Sequence, residues 1–320
     1  MEKISETKIA FSVLNSTQNC GFIVCTDSKG NLYAARNFYP YNSKLGDLAK
    51  WNTSAKKWDS LGGNFDDTVN AVCTDSNGNI YVVGDFKDSN GDCCIAKYNP
   101  ITKEWTSFSN KLIQFPINLI CCNSNDTIYI TGNFIDRNEN DYVVSINLTN
   151  GNFKELLGNR LKYAISDMCI DESDNLWILM NYPNSDNSRT CYLQNWNGSE
   201  WSNQITNSRF GSLTTNMCCD RSGNLYLPSG NTGTIIKYII ATNSIVTIPV
   251  QVINKNTVIL YLFVNSKGDI HVMGLCFSGE SYLYIYHPIS RKWGNDSIHL
   301  LKSSAFSINK GDVVGIYSSN

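Results

Sequence analysis

Thiols, carboxylates and carboxamides recur along this chain at a fixed interval, and each series has a chemistry it could support. Twelve cysteines could ligate a metal or pair as disulfides. Five of them, Cys25, Cys73, Cys121, Cys169 and Cys218, stand 48 or 49 residues apart. Asp27, Asp75, Asp171 and Asp220 each follow two residues behind such a cysteine and could form a carboxylate set. A third series is Asn37, Asp85, Asn133 and Asn181, each followed by an aromatic: Phe38, Phe86, Phe134 and Tyr182. Amides beside aromatic rings suit sugar or peptide binding, so these eight residues are the candidate ligand-binding set.

The interval points to the elements that carry these residues. A nine-residue phrase reads C-T-D-S-K-G-N-L-Y from Cys25 and C-T-D-S-N-G-N-I-Y from Cys73. Weaker copies start at Cys121, Cys169, Cys218 and Phe263, giving spacings of 48, 48, 48, 49 and 45. A period in the 40s built of strand-like units predicts an all-β protein, a β-propeller with one four-stranded blade per repeat. Residues sharing a repeat position then fall in different blades. Equivalent strands of neighbouring blades are expected beyond the ~7 Å Cα separation a disulfide tolerates. Adjacent pairs such as Cys121-Cys122 point to opposite faces of a strand. No C-x-x-C occurs and the chain has only three histidines, which argues against a zinc site. The thiols are read as small buried residues of a reducing compartment, and no metal or cofactor is expected.

The second repeat shows the blade most clearly. Val69 to Thr74 and Ile80 to Gly84 read as two strands of a hairpin around Asp75-Ser76-Asn77-Gly78-Asn79. Asp75 can bond the backbone two residues on, and Gly78 supplies a positive φ, so the turn aspartates are read as caps. Residues 85–92 form a polar loop that lacks the terminal Glu of an EF-hand. Cys93 to Tyr98 and Glu104 to Phe108 are the third and fourth strands. These last two strands recur with a pair of large residues: Trp51 with Trp58, Tyr98 with Trp105, Ile146 with Phe153, Trp196 with Trp201, Tyr238 with Val246, and Tyr286 with Trp293. Such pairs are expected on the blade face that packs against its neighbour.

Six complete repeats run from about Gly21 to Asp296, and strand-like segments remain at 8–14 and 304–317. One domain over 1–320 is expected. Seven blades, the last a composite of both termini that closes the ring, is the favoured count, with six blades as the alternative.

The joined pattern stands here as Leu48-Ala49-Lys50-Trp51-Asn52, Trp58-Asp59-Ser60-Leu61-Gly62, Val69 to Val72 and Asp75 to Phe86. It resembles the β-propeller repeat proteins of bacteria and giant DNA viruses. In its D-x-x-G-N-I-Y-V hairpin it is similar to NHL and SMP-30-type propellers, and as a repeat protein it resembles kelch-like propellers. The resemblance implies the fold and is nearly silent on function. The composition, rich in Asn and Ser, also resembles that of giant-virus proteins, which implies a virion-associated place.

Enzymatic propellers gather catalytic groups at one mouth of the channel, and no such set assembles here. The seven arginines occupy unrelated repeat positions, so a sialidase-type triad is not formed. The Glu, Asn and Asp of a metal-dependent lactonase cannot be assembled. His271, His287 and His299 accompany no nucleophile motif. No catalytic residue is assigned. The leading expectation is a non-enzymatic scaffold that binds a protein partner or plays a structural role. A lectin-like propeller is the alternative, and a metal-dependent lactonase or other hydrolase the second.

A net charge of −2 with unclustered Lys and Arg gives no footprint for nucleic acid. The polar start Met1 to Lys8 lacks the apolar core of a secretory signal, and the longest strongly apolar run, Val258 to Val264, is too short to span a bilayer. A soluble intracellular protein is expected, with no membrane partner.

Overall fold

A computed structural model describes residues 22–26, 31–36, 46–52, 54–55, 57–67, 69–87, 94–109, 117–132, 143–156, 165–184, 189–210, 216–220, 222–229, 234–250, 257–264, 269–276, 281–293 and 298–300. Among these residues the chain forms six antiparallel sheets, each a meander of consecutive strands. The first sheet is β1 (Phe22–Thr26), β2 (Leu32–Arg36), β3 (Gly46–Asn52) and β4 (Lys57–Phe65). The second is β5 (Val69–Thr74), β6 (Ile80–Gly84), β7 (Cys94–Asn99) and β8 (Glu104–Ser109). The third is β9 (Ile117–Cys122), β10 (Thr127–Gly132), β11 (Val143–Asn147) and β12 (Phe153–Leu156). The fourth is β13 (Ile165–Ile170), β14 (Leu176–Pro183), β15 (Arg189–Trp196) and β16 (Ile205–Thr206). The fifth is β17 (Cys218–Cys219), β18 (Leu225–Pro228), β19 (Thr234–Ile239) and β20 (Ser244–Pro249). The sixth is β21 (Thr257–Val264), β22 (Ile270–Cys276) and β23 (Ser281–His287), with β24 (Lys292–Trp293) and β25 (Ile298–Leu300) both paired to β23. This repeated four-strand meander makes the protein an all-β propeller.

The nine-residue phrase is the β-hairpin between the first two strands of each sheet, and its residues satisfy one another. Asp220 Oδ1 accepts the backbone N–H groups of Ser222 and Asn224, both at 2.9 Å. Its Oδ2 accepts the Tyr226 hydroxyl at 2.9 Å, and Lys237 Nζ lies 3.8 Å from the same oxygen. Asp171 does the same work, capping Ser173 and Asn175 while its Oδ2 accepts the Trp177 indole N–H at 2.8 Å. Asx-type capping thus fixes the turn, and the aromatic six residues on is anchored by its polar tip. A lysine on the third strand lies over that aromatic: Lys50 over Tyr33, Lys97 over Tyr81 and Lys237 over Tyr226, at 5.6, 5.5 and 5.3 Å from the ring centroids. These are directly opposite residues of adjacent strands, so the lysine of the repeat is a cross-strand partner.

The described chain divides into two compact units. One contains the first two sheets; the other contains the remaining four, together with the turn tip Asp75–Asn77. In the first, Tyr33, Leu48, Phe65, Val82, Phe86 and Tyr98 form one buried cluster. Trp105 packs against it, edge-on to Phe65 at 5.3 Å, and its indole N–H donates to the Leu61 carbonyl at 2.9 Å. Trp105 is therefore a tie between consecutive sheets as well as apolar bulk. The second unit repeats the device: Trp293 donates to the Pro249 carbonyl at 3.1 Å.

Five of the six expected large-residue pairs stand directly opposite one another. The sixth is corrected: Tyr238 faces Ile245, while Val246 faces Lys237 and is 43% exposed. The loop between β19 and β20 forms a short 3-10 turn, Ile240–Thr242, closed by Asn243 in the left-handed region, and this sets the register. The third strand of the second sheet begins at Cys94, one residue later than expected. The composite terminal blade falls at 8–14 and 304–317, outside the described residues. Among the described residues no helix is long and apolar enough to cross a membrane.

Candidate functional site

The amide and aromatic series begins where the second strand of each sheet ends. Asp85 is half-buried and its Oδ1 accepts the Asn70 amide at 2.7 Å. Asn181 is buried and donates to Ser166 Oγ at 2.9 Å. Asn70 and Ser166 hold the same position in their repeats, so both bonds brace the open end of the first hairpin. Phe86 is 2% exposed and its ring lies 4.4 Å from that of Phe65, so it is core and not a platform for a ligand. Tyr182 is half-buried. Asn37, Phe38, Asn133 and Phe134 lie outside the described residues.

Asp75, Asp171 and Asp220 cap separate turns, as expected, and Asp27 lies outside the described residues. A second aspartate series was not anticipated. Where Gly78 and Gly223 take the left-handed turn position, with φ of 79° and 74°, Asp126 and Asp174 take it with φ of 54° and 61°. Each reaches back to the corresponding turn one repeat earlier. Asp126 accepts the Ser76 N–H at 3.0 Å and its hydroxyl at 3.1 Å. Asp174 accepts the Ser124 N–H and the Asn125 amide, both at 2.9 Å, and the Ser124 hydroxyl. A left-handed non-glycine residue costs of order 1 kcal/mol, which these charge-assisted bonds offset. The substitution of Asp for Gly in the phrase was the available signal.

Seven cysteines, Cys73, Cys121, Cys122, Cys169, Cys191, Cys218 and Cys219, are free thiols. Burial pushes Cys122, Cys191 and Cys219 up to about 12, and holds Cys121, Cys169 and Cys218 well above the ordinary thiol value. A thiol this reluctant to ionise is a poor nucleophile. Among the described residues no group of three His, Cys, Asp or Glu side chains is placed to hold a metal ion. Asp269 Oδ1 and His287 Nδ1 lie 2.6 Å apart, joining the start of β22 to β23.

The most perturbed acid is Asp167 on β13. Burial raises its carboxyl to about 7, although three donors favour its charged form: Met217 N–H at 2.6 Å, Met168 N–H at 2.8 Å and the Asn216 amide at 2.9 Å. Asn216 passes the chain on by accepting the Leu262 N–H at 2.6 Å. β17 has only two residues, so the N–H of Met217 before it has no ladder partner there and is satisfied by Asp167 instead. Ala71 and Leu119 hold the same position in earlier repeats, and the break in that apolar series marked Asp167 in the sequence.

A groove of about 850 Å³ lies in the second unit between the segment 203–209 and the β19–β20 hairpin. Ile205, Tyr238 and Ile245 supply its apolar lining, Asn203, Asn207 and Ser208 its polar lining, and among the described residues Arg209 carries its formal charge. Sequence reading missed it because no motif marks it.

Comparison with known proteins bears on the fold. Virginiamycin B lyase from Staphylococcus aureus superposes with a TM-score of 0.60 at 12% identity, over 92% of this chain and 88% of that one. A streptogramin B lyase superposes with a TM-score of 0.63 at 11% identity, over 92% of this chain and 87% of that one. At such identities the likeness shows the fold alone. No curated protein matches the chain by sequence. The family model described as the Rax2 C-terminal beta propeller domain matches residues 41–217, which is 177 of the 320 residues. With the repeat, the six meander sheets and this match in agreement, the chain belongs to the Rax2 C-terminal beta propeller domain family.

Proposed function

We propose that this protein is a non-enzymatic propeller scaffold that binds a protein partner. One observation carries the reading: the recurrent polar groups are engaged by the fold itself. Asp75, Asp171 and Asp220 cap turns, Asp126 and Asp174 tie one turn to the next, and Asp85 and Asn181 brace strand ends. Cys121, Cys169 and Cys218 are held protonated by burial. What the repeats leave to vary is surface, including the polar groove. The free thiols favour an intracellular place, since oxidising compartments promote pairing. A structural role in a larger assembly such as a virion agrees with the resemblance to giant-virus propellers.

The deciding experiment assays the purified protein for opening of lactones, hydrolysis of glycosides and elimination chemistry. No turnover is expected. Turnover that disappears in Asp167→Asn would overturn the scaffold reading, because Asp167 is the residue best placed by its raised carboxyl to act as an acid or base near neutral pH.

A further inference from the structure

We infer that Asn77 is a modification site: its carboxamide converts to a carboxylate by spontaneous deamidation, and the new charge loosens the clasp that Asp126 makes on this turn. The inference is independent of the scaffold reading. Its starting point is the turn of the recurrent phrase, where asparagine precedes glycine. At such a step the next backbone nitrogen can reach the side-chain amide, because glycine has no Cβ to hinder the approach. The glycine nitrogen bonds to the asparagine Cγ and ammonia leaves. Water then opens the resulting succinimide to aspartate or isoaspartate. The reactants are the chain itself and water, and nothing is oxidised or reduced.

The described residues contain three such steps, Asn77-Gly78, Asn150-Gly151 and Asn197-Gly198, and all three asparagines are exposed. What differs is how each carboxamide is held. Asn197 Oδ1 accepts the Ser199 N–H at 3.0 Å, the Ser199 hydroxyl at 2.8 Å and the Glu200 N–H at 2.9 Å, which fixes the group over residues beyond the glycine. Asn150 Oδ1 accepts the Asn152 N–H at 2.9 Å, and the Gly151 N–H is itself engaged by the Asn147 carbonyl at 2.8 Å. Asn77 lacks that hold. Among the described residues its carboxamide makes one bond, a long one of 3.4 Å from Nδ2 to Asp126 Oδ2. Its carbonyl carbon can therefore turn toward the Gly78 nitrogen.

The consequence follows from where this amide sits. Asp126 Oδ2 accepts both the Asn77 amide and the Ser76 hydroxyl, the latter at 3.1 Å. Deamidation replaces the Asn77 donor with a charged acceptor and sets two carboxylates against each other. The neighbourhood is already acidic: burial raises the Cys122 thiol to about 12, and Asp75, Asp126 and Asp174 add to the rise. The isoaspartate product also lengthens the backbone inside the turn that the Asn77 N–H bond to Asp75 closes.

The test ages the full-length protein at mildly alkaline pH and reads the amide-to-acid mass gain at each asparagine by peptide mass spectrometry. In the folded protein Asn77 should convert several-fold faster than Asn150 or Asn197, and denaturation should bring the three rates together. Asn77→Gln, whose longer side chain closes the ring far more slowly, should lose the gain at this position. Asn77→Asp should unfold at a lower denaturant midpoint than wild type. Aged wild type should move the same way, and aged Asn77→Gln should not. Equal rates in the folded protein, or a rate order that survives denaturation, would overturn the structural assignment of the site. A wild-type midpoint for Asn77→Asp would overturn the effect on the clasp.

Discussion

Replacing Asp167 by Asn should make the protein more stable above neutral pH and leave it unchanged in acid. Burial raises the Asp167 carboxyl from 3.8 to about 7. Because the folded value lies above the unfolded one, the folded state holds the extra proton between these limits. Stability from this group is therefore full below about pH 4 and is lost as pH rises toward 7. The difference between 3.8 and about 7 corresponds to roughly 4 kcal/mol. Asp167 keeps some accessible surface, and solvent relaxation lowers the figure to about 2–4 kcal/mol. Asparagine resembles the protonated acid, one acceptor oxygen beside one donor, so the Met217 and Asn216 bonds to Oδ2 can persist, while the Met168 N–H loses its acceptor in both. The facing groups add no opposing charge: the titratable neighbours are Cys121 on β9, Cys169 on β13 and Cys218 on β17, all held protonated. At roughly 2 °C per kcal/mol for a chain of this size, the variant should melt about 4–8 °C higher than wild type at pH 8 and within error of it near pH 4. Thermal unfolding followed by tryptophan fluorescence across that range reads both curves. Parallel curves, or a variant less stable at pH 8, would refute the argument that Asp167 is destabilised by burial.

Asp174→Ala should cost about 2–3 kcal/mol in denaturant unfolding, because it removes the bonds to Ser124 and Asn125 and keeps a strained backbone; Asp174→Gly should cost about 1 kcal/mol less, since glycine accepts the left-handed turn. An equal loss in the two variants would show that backbone strain contributes nothing there. Trp105→Phe should lose about 1 kcal/mol for the indole bond to Leu61, whereas Trp105→Ala should lose about 3–5 kcal/mol by also emptying its place against Phe65. Phe86→Ala should lower stability by about 3–5 kcal/mol, measured as a shifted unfolding midpoint, since its ring is buried against Phe65; a stable variant would return Phe86 to the ligand-binding candidates. Cys121, Cys169 and Cys218 should resist alkylation at pH 8 in the native protein and react on unfolding, which quantitative mass spectrometry of labelled peptides can follow.

The sequence by itself determined the repeat and, through it, the blade. Local chemistry suffices for that, because Asp75, Gly78 and Tyr81 act within one hairpin and their roles follow from spacing of a few residues. The strand order and the turn caps were legible for the same reason. Partners about one repeat away were not. That Asp126 and Asp174 clasp the turn before them, that Trp105 donates to Leu61, and that Asp167 serves the short β17 all depend on sheets brought side by side by packing. The Phe86 position looked like a binding surface because an aromatic after a polar residue at a strand end reads the same whether it points out or in; burial against Phe65 decided it. The groove is the extreme case. No motif marks it, because its walls, the segment 203–209 and the β19–β20 hairpin, lie apart in the sequence and meet only on folding.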